Sequence, residues 1–164
     1  MTVKTDYTPE EWKSILAAPY FAAMYIIVSD MNMAFFQELA AMSQAVMSSI
    51  SGTKSEFIKT VATDLLSKET QEDIKPELDK LKDQKDPSAL LQSMLDHITS
   101  SVDLVDEKSA EDGDAYRRYL VYLAQITAEG SKEGGFLGIG AVRVSEKEQA
   151  ALDELAQVLG LAES

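Results

Sequence analysis

The groups in this 164-residue chain most able to do chemistry are 28 carboxylates and a single imidazole, His97. A carboxylate-bridged di-iron bundle needs Glu-x-x-His pairs, so that both ligands meet on one helix face. The residue at that spacing before His97 is Met94, and the pair is missing. His97 lies at the edge of an apolar stripe and reads as a structural histidine rather than a ligand or general base. The run Glu111-Asp112-Gly113-Asp114 suggests calcium. With Gly113 at the sixth position of an EF-hand loop, however, Lys108 and Ala110 occupy the first and third positions and Tyr119 the twelfth, where oxygen ligands are needed. The run therefore reads as a solvated turn that delivers acids to a helix N-terminus. No Gly-x-Ser-x-Gly, no Ser-x-x-Lys set with partners and no Cys/His pair occurs. General acid–base work by two carboxylates stays open, but nothing marks out a pair. No catalytic residue is assigned.

The most unusual feature is a loop. Five of the eight glycines fall between Gly130 and Gly140. Phosphate loops use glycine so that backbone N–H groups converge on an anion at a helix start. Here the order is not Gly-x-Gly-x-x-Gly, no strand precedes it, and the Gly-Lys-Ser/Thr ending is missing. Phe136, Leu137 and Ile139 interleave with glycine, which suits a structured loop packed on a helical core. As a ligand- or partner-binding loop instead, it would act through Gly134, Gly135, Phe136, Gly138, Gly140 and Arg143, the last able to hold an anion. Nucleotide binding is the least favoured of the three readings.

Two further clusters admit a bland and a sharp reading. In Tyr116-Arg117-Arg118-Tyr119-Leu120-Val121-Tyr122, two tyrosines share a helix face. In a basic protein they would stack bases. In this chain core tyrosines beside acid-paired arginines fit better. Five of the seven methionines (Met24, Met31, Met33, Met42 and Met47) crowd one segment. Methionine suits adaptable grooves, though plain core is its commoner use.

These residues must be carried by helices. The chain has 45% hydrophobic and 26% charged residues, which suits one soluble globular domain. Its net charge of −13 argues against nucleic acid and against anionic membrane surfaces. The absence of cysteine excludes disulfides, thiolate nucleophiles and iron–sulfur clusters. The opening MTVKTDYTPEEWK lacks the basic-then-apolar pattern of a signal peptide. The uncharged run from Ser14 to Ser29 is short for a membrane span and is interrupted by Pro19. Membrane insertion is not expected, and a cytoplasmic location is the default.

Thr8-Pro9-Glu10-Glu11 is a helix start, and the proline rule predicts a stop near Ala17-Ala18. Helices are expected over about 20–29 and 33–50, with 20–50 as the apolar hub. Narrower stripes follow: Phe57, Val61, Leu65; Ile74, Leu78, Leu81; and Leu91 through Val105. Asp86-Pro87 opens a helix, and residues 106–113 read as a connection. A helix near Asp114 carries Tyr116, Leu120, Leu123 and Thr127 on one face. Ser145-Glu146-Lys147-Glu148 is a capping box before Leu152, Leu155, Leu159 and the stop Gly160. No strand-like alternation appears. The expected fold is all-α: a single-domain bundle of six or seven helices, with the glycine-rich loop before the last.

The pattern Glu129-Gly130, then Ser145-x-x-Glu148, then a helix ending Leu159-Gly160-Leu161, resembles the TerB-like (tellurite-resistance B) all-helical domains. The stretch from Asp30 to Glu38 is similar to a degenerate first copy. The resemblance covers about a third of the chain and departs from the family pattern where the glycine-rich insert enlarges the second turn and where Asp30 lacks a following glycine. It implies a divalent cation, Ca²⁺ or Mg²⁺, held by Asp30, Glu129, Glu146 and Glu148, in a stress-response module. The chain is similar, too, to small bacterial helical proteins of unassigned role. The residues themselves favour a non-enzymatic interaction or scaffold protein with a protein partner or a second copy of itself. A small-molecule binder or enzyme using the 130–143 loop is the third reading.

Overall fold

The computed structural model describes residues 1–30, 35–130 and 144–161, with backbone alone for residues 35–37. Among them seven α-helices form and no strand: α1 (Pro9–Ser29), α2 (Phe35–Gly52), α3 (Glu56–Leu65), α4 (Lys68–Lys80), α5 (Pro87–Lys108), α6 (Ala110–Gly130) and α7 (Glu146–Val158). Short 3-10 turns occupy Lys4–Asp6 and Leu81–Asp83. Buried apolar side chains from all seven helices join in one cluster.

The helix starts follow the chemistry of their caps. Thr8 Oγ1 accepts the Glu11 amide at 3.2 Å while Glu11 Oε2 accepts the Thr8 amide at 2.8 Å. Ser145 and Glu148 repeat that box at 3.1 and 2.8 Å. Asp86 accepts the Ser88 amide at 3.1 Å ahead of Pro87. At the other end of α7, Gly160 takes a φ of 71°, the left-handed conformation that closes a helix.

α1 does not stop at Ala17-Ala18; it runs through Pro19 to Ser29. Proline at position 19 removes the amide that would bond the Ile15 carbonyl, at a cost of about 3 kcal/mol in a bare helix. The Tyr116 hydroxyl supplies the lost donor, reaching the Ile15 carbonyl at 2.5 Å from α6. The adjacent Ser14 carbonyl accepts from Ser101 Oγ and His97 Nε2, each at 3.1 Å. Tertiary donors thus replace the local one, and Phe21, Ala22 and Ile26 beyond the proline stay buried in the same helix.

The hub is also redistributed. α1 packs against α4, α5, α6 and α7, and α2 lies mainly along α6. Met42, Ala45 and Val46 of α2 are buried, but Ala40, Ser43 and Met47, which a hub over 20–50 would enclose, face solvent, Met47 at 61% exposure. The centre of the bundle is therefore α1 with α6, and α2 is an outer amphipathic helix. By length and composition alone α1 could cross a membrane, yet most of its apolar residues are core.

The expected connection over 106–113 is almost entirely helical. α5 continues to Lys108 and α6 begins at Ala110, separated only by the extended Ser109. Asp112 is not solvated: it is 4% exposed and accepts the Thr2 amide and hydroxyl at 2.5 and 2.8 Å. Gly113 sits where a Cβ would fall 1.7 Å from Asp106 Oδ1 and 3.3 Å from the Asp106 backbone. The close approach of the two helices, rather than an ion, demands that glycine.

A candidate apolar binding cleft

The arrangement nearest to catalytic geometry is Ser14 with His97. Ser14 Oγ lies 3.4 Å from His97 Nε2, but the same nitrogen is 3.1 Å from the Ser14 carbonyl. A carbonyl only accepts, so Nε2 carries a hydrogen and offers no lone pair to the serine. Burial lowers the His97 pKa below its ordinary value, and the ring packs edge-on against Phe21 with centroids 4.4 Å apart. These contacts make His97 a lock on the Pro19 segment and not a base.

A neighbouring stretch of α1 is built differently. Tyr20, Met24 and Val28 recur every four residues and so share one face. All three are half-buried, as are Leu39 of α2, Leu78 of α4, Leu81 of the following turn and Leu90 of α5. They surround a cleft of about 520 Å³ floored by the buried Met94. Three acquire their places from local rules. The pair Leu78 and Leu81 is one turn apart at the end of α4, and Leu90 stands one turn before Met94. Ligand pockets span about 300–1,000 Å³ and are mostly apolar with a few polar groups, which this cleft satisfies.

Its polar groups are Lys75, Asp79, Lys82 and the Tyr20 hydroxyl. Lys82 Nζ is 2.6 Å from Asp79 Oδ1, and that hydrogen bond holds the Asp79 carboxyl below its usual pKa. Lys75 is exposed and forms no ion pair among the described residues. Burial raises the Tyr20 pKa, so the phenol stays protonated and donates to the Leu65 carbonyl at 3.4 Å.

A second cleft of about 510 Å³ lies between α2, α3 and α6 and is lined by Ser49, Arg118, Tyr119 and Tyr122. Burial pushes the Tyr119 phenol up to about 12. Arg118 is taken by Asp114 at 3.0 Å, and Arg117 by Asp106. Tyr116 and Tyr119 are thus core tyrosines beside acid-paired arginines, whereas Tyr122 is exposed.

The residues marked out in the sequence fare unevenly. Gly134, Gly135, Phe136, Gly138, Gly140 and Arg143 lie outside the described residues, as do Met31 and Met33. Asp30 caps the end of α1. Glu129 accepts from Gln125 at 2.8 Å in the last turn of α6. Glu146 is exposed in the first turn of α7, while Glu148 is 1% exposed and serves the capping box. Among the described residues no three carboxylate or imidazole groups gather as a metal site, so these four do not come together as one.

No family model, curated protein or solved structure matches this chain. The site rests on its own geometry. In the sequence, Leu78 and Leu81 belong to an apolar stripe and Met24 to the methionine-rich segment, whereas no motif singles out Lys75 and Lys82. The available signal was a lysine beside each end of the Leu78–Leu81 pair, in a chain otherwise dominated by acids.

Proposed function

We propose that this protein is a non-enzymatic helical binding module that holds an apolar group in the cleft between α1, α2, α4 and α5. The observation that carries the reading is the ring of seven half-buried apolar side chains around one open cavity of about 520 Å³. A soluble protein gains about 25 cal/mol for each Å² of such surface withdrawn from water, so leaving it open favours an occupant. The disarmed Ser14–His97 pair supports binding over turnover. Met24 at the wall supplies an adaptable surface.

The test is a titration of the full chain with an environment-sensitive naphthalene dye. Saturable fluorescence at one site is expected, lost in Leu78→Asp while the far-ultraviolet circular dichroism holds and the protein still unfolds cooperatively a few degrees below the parent. An unchanged signal in the variant, or no saturable signal in the parent, overturns the reading. Sedimentation of the same samples tests a second copy of the chain as the occupant. A dimer that dissociates as dye binds supports the cleft as the interface, whereas a dimer that persists with dye bound places the contact elsewhere.

A further inference from the structure

Resting on that reading of the cleft, we infer that its ligand is a single-chain amphiphile with a carboxylate head: a free fatty acid. The argument is the contrast between wall and rim. The wall from Met24 to Met94 is hydrocarbon and thioether and can hydrogen-bond nothing, so whatever enters it must be an apolar chain. The two side-chain cations of the lining, Lys75 and Lys82, stand on α4 and the turn that follows, at exposed positions where a head group would meet water. Lys82 is held by Asp79 at 2.6 Å; Lys75 makes no contact ion pair among the described residues, although its charge also acts on Asp79.

The net charge of −13 makes this local arrangement specific. The protein's field repels anions at long range, and salt at physiological strength screens it beyond about 8 Å. An anion therefore gains nothing from the molecule at large and binds only where a lysine lies within reach of an apolar anchor. A cationic amphiphile would be drawn to most of the surface but would meet two ammonium groups against one carboxylate, Asp79, at this mouth. Chain and head must then act together, with the chain supplying most of the affinity and the carboxylate selecting the orientation.

The experiment is calorimetric titration of the full chain with decanoate, decanol and decyltrimethylammonium, below their micelle concentrations. Decanoate is expected to bind one to one, about threefold to fivefold tighter than decanol, the size of a partly screened ion contact. Decyltrimethylammonium should bind more weakly than decanol at this site. In the series hexanoate, octanoate, decanoate, each added methylene should strengthen binding by up to about fourfold until the cleft is full. Lys75→Gln should weaken decanoate about threefold to fivefold and leave decanol unchanged. If decanoate binds no tighter than decanol, or Lys75→Gln affects both equally, the carboxylate assignment falls and the apolar cleft stands. If none of the three binds although the dye does, the single-chain ligand is wrong and the cleft again stands. If neither amphiphile nor dye binds, both readings fall together.

Discussion

One helix, α1, carries two regions with opposite finish. Toward α5 and α6 the Pro19 segment is closed: Ile15 is fully buried, its carbonyl is bonded by Tyr116, and Ser14 is bonded by Ser101 and His97. Further along, the same helix presents Tyr20, Met24 and Val28 half-buried around a cleft among the described residues. The first region spends polar side chains to repair a backbone defect; the second packs apolar side chains on the core and leaves part of each open to a cleft. On the proposed reading, stability and binding are thus divided between two stretches of one element. Substitutions on the closed face should cost folding and spare binding, and substitutions on the open face should do the reverse.

The largest loss is expected in the closed half. Leu123 of α6 is fully buried, and Leu123→Ala should destabilise by about 2–5 kcal/mol, read from urea or thermal unfolding. Tyr116→Phe comes next. It keeps the ring and strips the donor from a buried carbonyl, for a loss of about 1–3 kcal/mol. Pro19→Ala tests the cause directly, because it returns an amide to the Ile15 carbonyl. In that background Tyr116→Phe should cost measurably less than in the parent. Equal costs in both backgrounds would mean that Tyr116 is merely well packed and does not repair the proline.

The helices were legible in the sequence wherever a cap or a stripe was strong: Thr8, Asp86 and Ser145 begin helices, and the Phe57, Ile98 and Leu120 stripes are buried. The errors share one physical origin. Pro19 reads as a stop because its remedy, Tyr116, is 97 residues away and invisible to local rules. Asp112 reads as solvated because its partner, Thr2, sits at the far end of the chain. α2 reads as central because alanine, serine and methionine pass for buried residues on a solvent face. The cleft was legible only in fragments, since each stripe looks like ordinary core until the packing of α4 against α1 leaves it unfilled.

On the open face the balance should reverse. Leu78 is half-buried, so Leu78→Ala should destabilise by about 1 kcal/mol or less while weakening capture of the naphthalene dye by several-fold. A loss near that of Leu123→Ala would show that the cleft is filled and structural, and the division between the two stretches would disappear.

The finest probe of the closed region is His97, its one member whose ordinary pKa lies near neutrality. Burial is the main cause that lowers the His97 pKa from its ordinary 6.5; the Ser14 carbonyl and Glu77 oppose it and Lys80 adds to it. With the folded value below the unfolded one, the unfolded chain binds more protons in the window between them. The stability that neutral His97 contributes is therefore complete above 6.5 and is lost as the pH falls through the lower, folded value. His97→Gln keeps a side-chain N–H for the Ser14 carbonyl and does not titrate. Its melting temperature should fall less steeply than the parent's across that window, whereas carboxylates elsewhere act alike on both proteins. Parallel curves would mean that the imidazole stays solvated, and that the polar closure around Pro19 is looser than the packing of Phe21 on His97 implies.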